Sequence, residues 1–294
     1  MKVTIDSGSG FCFGVKRAIE KAEEILENQE QLYCLGDIVH NKAEMERLGE
    51  RGLISIDQVA VKNLKGKPVM FRAHGEPPAS YTIAGDNNNS LTDATCPIVR
   101  KLQDRISKAW AEIKKSRGQL VIFGNPDHPE TIGLQGQTGG KAIIVTDPAN
   151  LQEIDSARPV ELFSQTTKST GDFLRLEKNI RKLMSNHFSK RELPLKVHNT
   201  ICGQISSRTP RIREFAGNHD VIVFVGGRES SNAKVLFDHC KEVNPGSWFV
   251  SLPEEVSAEW FKDARSTGIC GATSTPQWLM EKVAGKIREL TEKK

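Results

Sequence analysis

The chain has 294 residues, of which 37% are hydrophobic and 27% are charged, and its formal net charge at pH 7 is +4. These values exclude a disordered chain and suggest roughly two domains, or three small ones. The weak positive charge argues against the concentrated basic surface of a nucleic-acid-binding protein, and an aromatic content of 6% is too low for a platform that stacks bases.

No stretch of the sequence has the composition of a targeting or membrane-spanning segment. Residues 1–6 lack the apolar region of a signal peptide, and apolar runs such as 221–225 are far shorter than the roughly 18 residues of a span. We therefore expect a cytoplasmic protein with no membrane partner. Because the cytosol is reducing, the six cysteines are expected to be thiols rather than three disulfides.

The first part of the chain joins a predicted helix to two strand-like runs. Cys12 precedes apolar residues at helical spacing over 15–26. Two short apolar runs follow, at 32–36 and 69–71, and each leads into a polar cluster that contains a histidine. These two clusters are His40-Asn41 and Ala73-His74-Gly75.

The second part repeats this order after Cys96, with Pro97 at the place of a first helical residue and Gly118 as the helix stop. Its apolar runs, at 120–124 and 160–163, also lead into polar clusters, which are His128-Pro129-Glu130 and Ser164-Gln165-Thr166-Thr167. A further helix is predicted over 173–188.

The third part begins at Cys202 with a weaker helical pattern over 205–216. Its apolar runs, at 221–226 and 268–271, lead into the last two polar clusters, which are Ser230-Ser231-Asn232 and Thr273-Ser274-Thr275-Pro276. A final helix is predicted over 278–290.

The repetition predicts an α/β fold with parallel sheets and right-handed crossovers. His40, His128 and Ser230 lie 28, 32 and 28 residues after the cysteine of their own part. Ligands of parallel sheets bind beyond the carboxyl ends of the strands, which is where the polar clusters stand. We expect three small parallel α/β lobes in a pseudo-threefold arrangement around one central site, with one cysteine from each lobe.

Three of the six cysteines have the setting of core residues. Cys34 and Cys270 lie within apolar runs, and Cys240 lies within an apparent helix. Thiols are among the most often buried side chains, so we expect these three in the core.

Cys12, Cys96 and Cys202 each lead towards a helix N-terminus, where free N–H groups and the helix dipole favour a thiolate. They are either buried small residues or ligands of one metal site. Zinc sites usually have paired C-x2-C spacing, which the sequence lacks, whereas the spacing of iron–sulfur ligands is not diagnostic. A four-iron cluster on three thiolates would leave one iron able to bind substrate as a Lewis acid.

The three histidines in strand-end clusters favour an anion pocket, although any one of them alone is more often structural. These residues, with the neutral donors of the other clusters, could hold a diphosphate without Lys or Arg. The candidates are His40, His74, His128, Thr166, Ser230, Asn232 and Ser274. Neither a Walker A loop nor a dinucleotide motif occurs, so a nucleotide is not indicated.

Glu130 stands two residues after His128. Most glutamates are solvated surface groups, but this one lies among strand-end polar residues, so proton delivery is a credible role. The other histidines, which fit no repeat, are expected to be structural: His187, His198, His219 and His239.

Nine ordered motifs give the sequence its resemblance to a known family. They are Gly10-Phe11-Cys12-Phe13-Gly14-Val15, Val39-His40-Asn41, Ala73-His74-Gly75, Asp93-Ala94-Thr95-Cys96-Pro97, His128-Pro129-Glu130, Gln165-Thr166-Thr167, Asn199-Thr200-Ile201-Cys202, Ser230-Ser231-Asn232 and Thr273-Ser274-Thr275-Pro276. The chain resembles, over nearly its whole length, the LytB/IspH family of 4-hydroxy-3-methylbut-2-enyl diphosphate reductases of the non-mevalonate isoprenoid pathway.

The resemblance implies a reductive dehydration of an allylic diphosphate, which gives isopentenyl diphosphate and dimethylallyl diphosphate. It implies that Cys12, Cys96 and Cys202 hold an iron–sulfur cluster, most simply [4Fe-4S], whose unique iron takes the substrate oxygen. Glu130 with Thr166 would deliver the proton that makes the hydroxyl into water. The diphosphate would be bound by His40, His74, His128, Thr166, Ser230, Ser231, Asn232 and Ser274. A ferredoxin or flavodoxin type electron donor is expected.

The resemblance also implies three lobes, which we place at 14–97, 98–198 and 199–280, with residues 1–13 adding a strand to the third and 281–294 forming a C-terminal helix or tail. Two positions depart from the commonest family pattern. Ser164 stands where Thr is frequent, and Pro210 is unusual after Cys202, where it is expected to delay the helix start.

Two other functions stay open on the residues alone. One is a zinc hydrolase of a phosphate ester, with three thiolates and an activated water. The other is a non-catalytic protein that binds an anion. The missing paired cysteines argue against the first, and the motif set argues against the second.

Overall fold

The fold is that of a computed structural model, which describes residues 1–188 and 193–292. The side chain of Ser231, a predicted substrate ligand, lies outside the described part.

The strands of the described part are short, and over most of the chain strands alternate with helices. The strands are β1 (Lys2–Ile5), β2 (Leu32–Leu35), β3 (Leu53–Ile56), β4 (Pro68–Phe71), β5 (Ser90–Asp93), β6 (Gln119–Phe123), β7 (Ile143–Val145), β8 (Val160–Ser164), β9 (Leu195–Val197), β10 (Val221–Val225), β11 (Ser247–Val250) and β12 (Ser266–Gly271). The α-helices are α1 (Phe13–Leu26), α2 (Lys42–Glu50), α3 (Gln58–Asn63), α4 (Pro78–Asp86), α5 (Pro97–Ile113), α6 (Pro129–Gly136), α7 (Thr170–Met184), α8 (Gly203–Ser206), α9 (Arg208–Gly217), α10 (Ser231–Val243) and α11 (Gln277–Glu292).

The strands form three four-stranded sheets, whose orders are β3-β2-β4-β5, β7-β6-β8-β9 and β1-β12-β10-β11. The pairings of the second and third sheets are parallel, as are β2 with β4 and β4 with β5. The N-terminal strand β1 pairs with β12, near the other end of the chain. The predicted α/β class with three parallel units is thereby confirmed.

The central strands have both faces covered, which is why their sequences are continuous apolar runs. In the second sheet, Val121 and Phe123 of β6 pack with α7, while Leu120 and Ile122 pack with α5. The third sheet repeats this arrangement. Its strand β10 places Val221, Val223 and Val225 against α11 and places Ile222 and Phe224 against α9 and α10.

Pro210 is expected to delay the start of the helix after Cys202, but helical structure begins directly after that cysteine, at Gly203, and is divided into two helices. The short helix α8 ends at Ser206, and α9 begins at Arg208. Pro210 therefore stands in the first turn of α9, where its missing N–H removes no helical hydrogen bond.

None of the helices in the described residues has the length and apolar content needed to cross a membrane.

Candidate active site

The predicted polar clusters stand just beyond the carboxyl ends of the six central strands. His40 follows β2 and His74 follows β4, while the remaining clusters follow β6, β8, β10 and β12. The described residues divide into two compact units. One contains 1–32, 37–55 and the residues from Ser207 onward, and the other contains 33–36 and 56–206. The predicted site residues form a contact network within each unit.

In the second unit, Glu130 is 2% exposed and is held by one residue through two hydrogen bonds. Its Oε1 accepts from the amide N–H of Thr166 at 2.6 Å, and its Oε2 accepts from the Thr166 hydroxyl at 2.7 Å. Burial raises the pKa of Glu130 to about 7, against the lowering effect of the Thr166 N–H and hydroxyl. A carboxyl with this pKa holds a proton in a large fraction of molecules at neutral pH.

His128 caps the helix that carries Glu130. Its Nδ1 accepts a hydrogen bond from the Glu130 amide at 3.1 Å, so the neutral ring carries its proton on Nε2. The ring of His74 meets that of His128 edge to face, with centroids 5.3 Å apart. Two imidazoles from different strand ends thus lie at the start of the helix that carries Glu130.

Two of the three candidate metal-ligating cysteines are linked to this network by their backbones. The Cys96 amide donates to the carbonyl of Ala73, next to His74, at 3.0 Å. The Cys202 amide donates to the carbonyl of Thr166 at 2.9 Å. The second unit therefore contains both cysteines, two histidines and the Glu130–Thr166 pair as neighbouring backbone segments.

In the first unit, the polar clusters after β10 and β12 contact one another. The Ser274 hydroxyl donates to Ser230 Oγ at 3.2 Å, and Asn232 Nδ2 donates to Thr273 Oγ1 at 3.1 Å. Ser230 is also the N-cap of α10, since its Oγ accepts from the Ala233 amide. These contacts place hydroxyl and amide donors at the N-terminal end of a helix, which is a favourable setting for an anion.

Cys12 is the N-cap residue of α1, and its amide donates to the carbonyl of Thr273 at 3.4 Å. The third candidate metal-ligating cysteine is thus placed beside the Ser274 cluster.

His40 is positioned by the start of α2. Asn41 caps that helix by accepting from the Glu44 amide at 3.1 Å. The buried Glu44 carboxylate accepts from Trp278 Nε1 at 2.7 Å and from the Arg47 guanidinium. This carboxylate ties the His40 segment to α11, which starts just after the Ser274 cluster.

A cavity of about 550 Å³ opens beside His40 in the same unit. His40 and Asn41 form one wall, and Gly226, Gly227 and Arg228 form another. A side chain at Gly227 would overlap the His40 carbonyl, so glycine is required for this close approach.

All six cysteines are thiols, and their exposure separates them as the sequence predicts. Cys34, Cys240 and Cys270 are fully buried, so their assignment to the core is confirmed. The Sγ atoms of Cys240 and Cys270 are 3.9 Å apart, and burial raises the pKa of the Cys270 thiol. Such a thiol stays protonated and does not bind a metal readily.

The other three cysteines are partly exposed, and each directly precedes a helix. Neither Cys12 nor Cys96 uses its thiol to cap its helix. Three accessible sulfur donors of this kind fit an iron–sulfur cluster.

Three supporting residues were not singled out by the sequence. Thr273 accepts from Asn232 and from the Cys12 amide, Gln165 accepts from the Asn125 amide at 3.1 Å, and Thr200 bridges the amide and carbonyl of Ser164. All three lie inside the nine motifs, next to predicted site residues, and this proximity in the sequence is the signal that could have identified them. Ser164, the departure from the family pattern, is buried, and its hydroxyl donates to the Gln165 carbonyl.

Comparison with known proteins gives a consistent result. The family model described as LytB protein matches residues 3–288. The 4-hydroxy-3-methylbut-2-enyl diphosphate reductase of Phocaeicola vulgatus is 48% identical over 282 residues, which are 96% of each chain.

Among solved structures, that of (E)-4-hydroxy-3-methyl-but-2-enyl diphosphate reductase, the terminal enzyme of the non-mevalonate pathway, matches with a TM-score of 0.73 and 31% identity. It covers 98% of this chain and 100% of that one. The reductase structure from Plasmodium falciparum matches with a TM-score of 0.80, 23% identity and coverage of 98% and 88%, which supports the fold alone.

Proposed function

Because the chain belongs to the LytB family, we propose that it reduces 4-hydroxy-3-methylbut-2-enyl diphosphate to isopentenyl diphosphate and dimethylallyl diphosphate. The reaction takes up two electrons and two protons, breaks the allylic C–O bond and releases the hydroxyl as water. In the solved relative this is the last step of the non-mevalonate pathway.

The observation that carries this proposal is the buried Glu130 carboxyl with Thr166 at both of its oxygens. A hydroxyl leaves far more readily as water than as hydroxide, so the reaction needs a proton donor at the departing oxygen. Glu130 has a pKa of about 7 and so is matched to proton transfer near neutral pH. The Thr166 hydroxyl, 2.7 Å from Oε2, orients the Glu130 carboxyl that donates this proton.

The diphosphate is bound by the histidines and by the hydroxyl and amide donors of the strand-end clusters. His128 is oriented for this role, because its Nδ1 accepts from the Glu130 amide and its neutral ring therefore carries the proton on Nε2. The other groups proposed are His40, His74, Thr166, Ser230, Ser231, Asn232 and Ser274.

Cys12, Cys96 and Cys202 are proposed to hold an iron–sulfur cluster, most simply [4Fe-4S], in which one iron has no protein thiolate. When bound, the cluster supplies the electrons one at a time and a Lewis-acidic iron. Around it, the protein supplies the proton of Glu130 and the donors that orient the diphosphate. A ferredoxin or flavodoxin type electron donor and a cytoplasmic location stay predictions.

Anaerobic reconstitution with iron and sulfide tests the proposal directly. The reconstituted protein should absorb visible light, contain iron and sulfide together, and convert the hydroxylated allylic diphosphate when reduced viologen supplies electrons. Stoichiometric zinc without sulfide would favour the phosphate-ester hydrolase, and a metal-free protein that binds inorganic diphosphate would favour the non-catalytic binder. The family membership favours neither of these.

A further inference from the structure

Glu76 is a buried carboxyl to which the reduction assigns no role. It is 4% exposed and lies two residues after His74, in the segment between β4 and α4. We call residues 72–77 the His74 turn. The Gly75 amide donates to the Arg72 carbonyl at 3.2 Å and closes this turn, and Gly75 has a φ of +73°.

The Glu76 carboxylate contacts the opposite side of the turn. Its Oε1 lies 3.8 Å from Nε of Arg72, and its Oε2 accepts from Gln58 Nε2 at 3.2 Å. The Glu76 carbonyl accepts from Gln103 Nε2 at 3.2 Å. Arg72 and Glu76 therefore flank His74 in the sequence and attract one another across the base of its turn.

The presence of an ionisable Glu76 at this buried position is not explained by a contribution to the stability of the fold. Burial raises the pKa of Glu76 to about 7, although the Arg72 guanidinium opposes the rise. The folded protein thus favours the neutral carboxyl, and an ionised glutamate here costs stability. A charge that costs stability, next to a residue of the proposed substrate site, points to a role in that site.

We propose that Glu76 is a positioning residue, whose carboxylate with Arg72 braces the His74 turn and so sets how His74 meets the diphosphate end of the substrate. The proposal rests on the function proposed above. It assigns Glu76 to substrate affinity and leaves the bond-breaking step to Glu130 and the cluster.

Glu76→Gln keeps the size of the side chain and removes its charge. With reconstituted enzyme at about pH 8, KM should rise about tenfold, and kcat should stay within about twofold of the wild-type value. The inhibition constant of inorganic diphosphate should rise with KM. The thermal midpoint should not fall, whereas loss of a merely structural ion pair would lower it.

Glu161→Gln is the matched control, since Glu161 is a buried carboxylate of the same unit that pairs with Lys196 and His198. It should leave KM unchanged. The double variant with Arg72→Gln tests the pair, because its KM should be no higher than that of Glu76→Gln alone.

Wild-type KM and inhibition constant in Glu76→Gln would overturn the proposal, and so would a fall in kcat at constant KM. Additive effects in the double variant would overturn the pairing with Arg72. If the wild-type enzyme itself neither turned over the substrate nor bound diphosphate, the proposed function would fail and this inference with it.

Discussion

Glu130 and Thr166, 36 residues apart in the sequence, are joined by two hydrogen bonds of 2.6 and 2.7 Å that involve both carboxylate oxygens and both the amide and the hydroxyl of the threonine. The pair connects the end of β8 to the first turn of α6. The carbonyl of Thr166 also accepts from the Cys202 amide, so the proton-holding carboxyl of Glu130 and the backbone of a proposed cluster ligand are both hydrogen-bonded to the same residue.

Glu130→Gln should abolish most turnover and leave the cluster in place. Glutamine can accept from the Thr166 amide, so the local structure is kept, but it has no proton to give at neutral pH. Loss of a general acid should lower kcat by about two to four orders of magnitude. The measurements are the rate of single-turnover reduction of the substrate and the iron and sulfide content of the variant. Full activity in the variant would remove Glu130 from the mechanism.

The same variant should change how stability depends on pH. The pKa of Glu130 is raised from 4.5 to about 7, so between these values the native state keeps a proton that the unfolded state has released. The stabilisation from this group is therefore complete below pH 4.5 and is lost as pH rises through about 7.

Glu130→Gln removes this dependence. Its free energy of unfolding relative to wild type should increase between about pH 5 and about pH 8, by on the order of 3 kcal/mol. Urea unfolding at the two pH values measures the difference. A difference that stays constant with pH would contradict the raised pKa.

The fold could be predicted from the sequence where strands are buried on both faces. The six strands located from apolar runs are the central pair of each sheet, as with β6 and β8. Edge strands such as β5 and β9 were not located, because one side of each faces solvent or a loop and its sequence is short and partly polar.

The site could be predicted from residues that follow the central strands, because the carboxyl ends of parallel strands lie at one edge of a sheet. What the sequence does not contain is the partner of each group. Glu44 and Trp278 are 234 residues apart, and no local pattern joins them. Two partners of Glu76 are likewise distant in the sequence, since Gln58 and Gln103 lie 18 and 27 residues from it.

Serine replacement of each proposed ligand should remove the cluster. Cys12→Ser, Cys96→Ser and Cys202→Ser should each lose most iron, sulfide and visible absorbance after reconstitution, since a hydroxyl is a poor ligand for iron in place of thiolate. The control is Cys240→Ala, which removes a core thiol, should keep the metal content and should destabilise the fold by about 1 kcal/mol. Normal iron content in any of the three serine variants would exclude that cysteine as a ligand.

Gly133 allows the His74 turn to pack closely against α6, and Gly133→Ala should weaken substrate binding. An added Cβ would lie 2.9 Å from the Gly75 carbonyl oxygen and 3.2 Å from Gln103 Nε2, so the turn must move away from α6, the helix that His128 caps. We expect KM to rise and stability to fall by about 1–3 kcal/mol. Gly85→Ala on α4 is the control, because no atom lies within 4 Å of its added Cβ, and it should keep KM and gain up to about 1 kcal/mol. Equal KM values in the two variants would show that the glycine contact does not position His74.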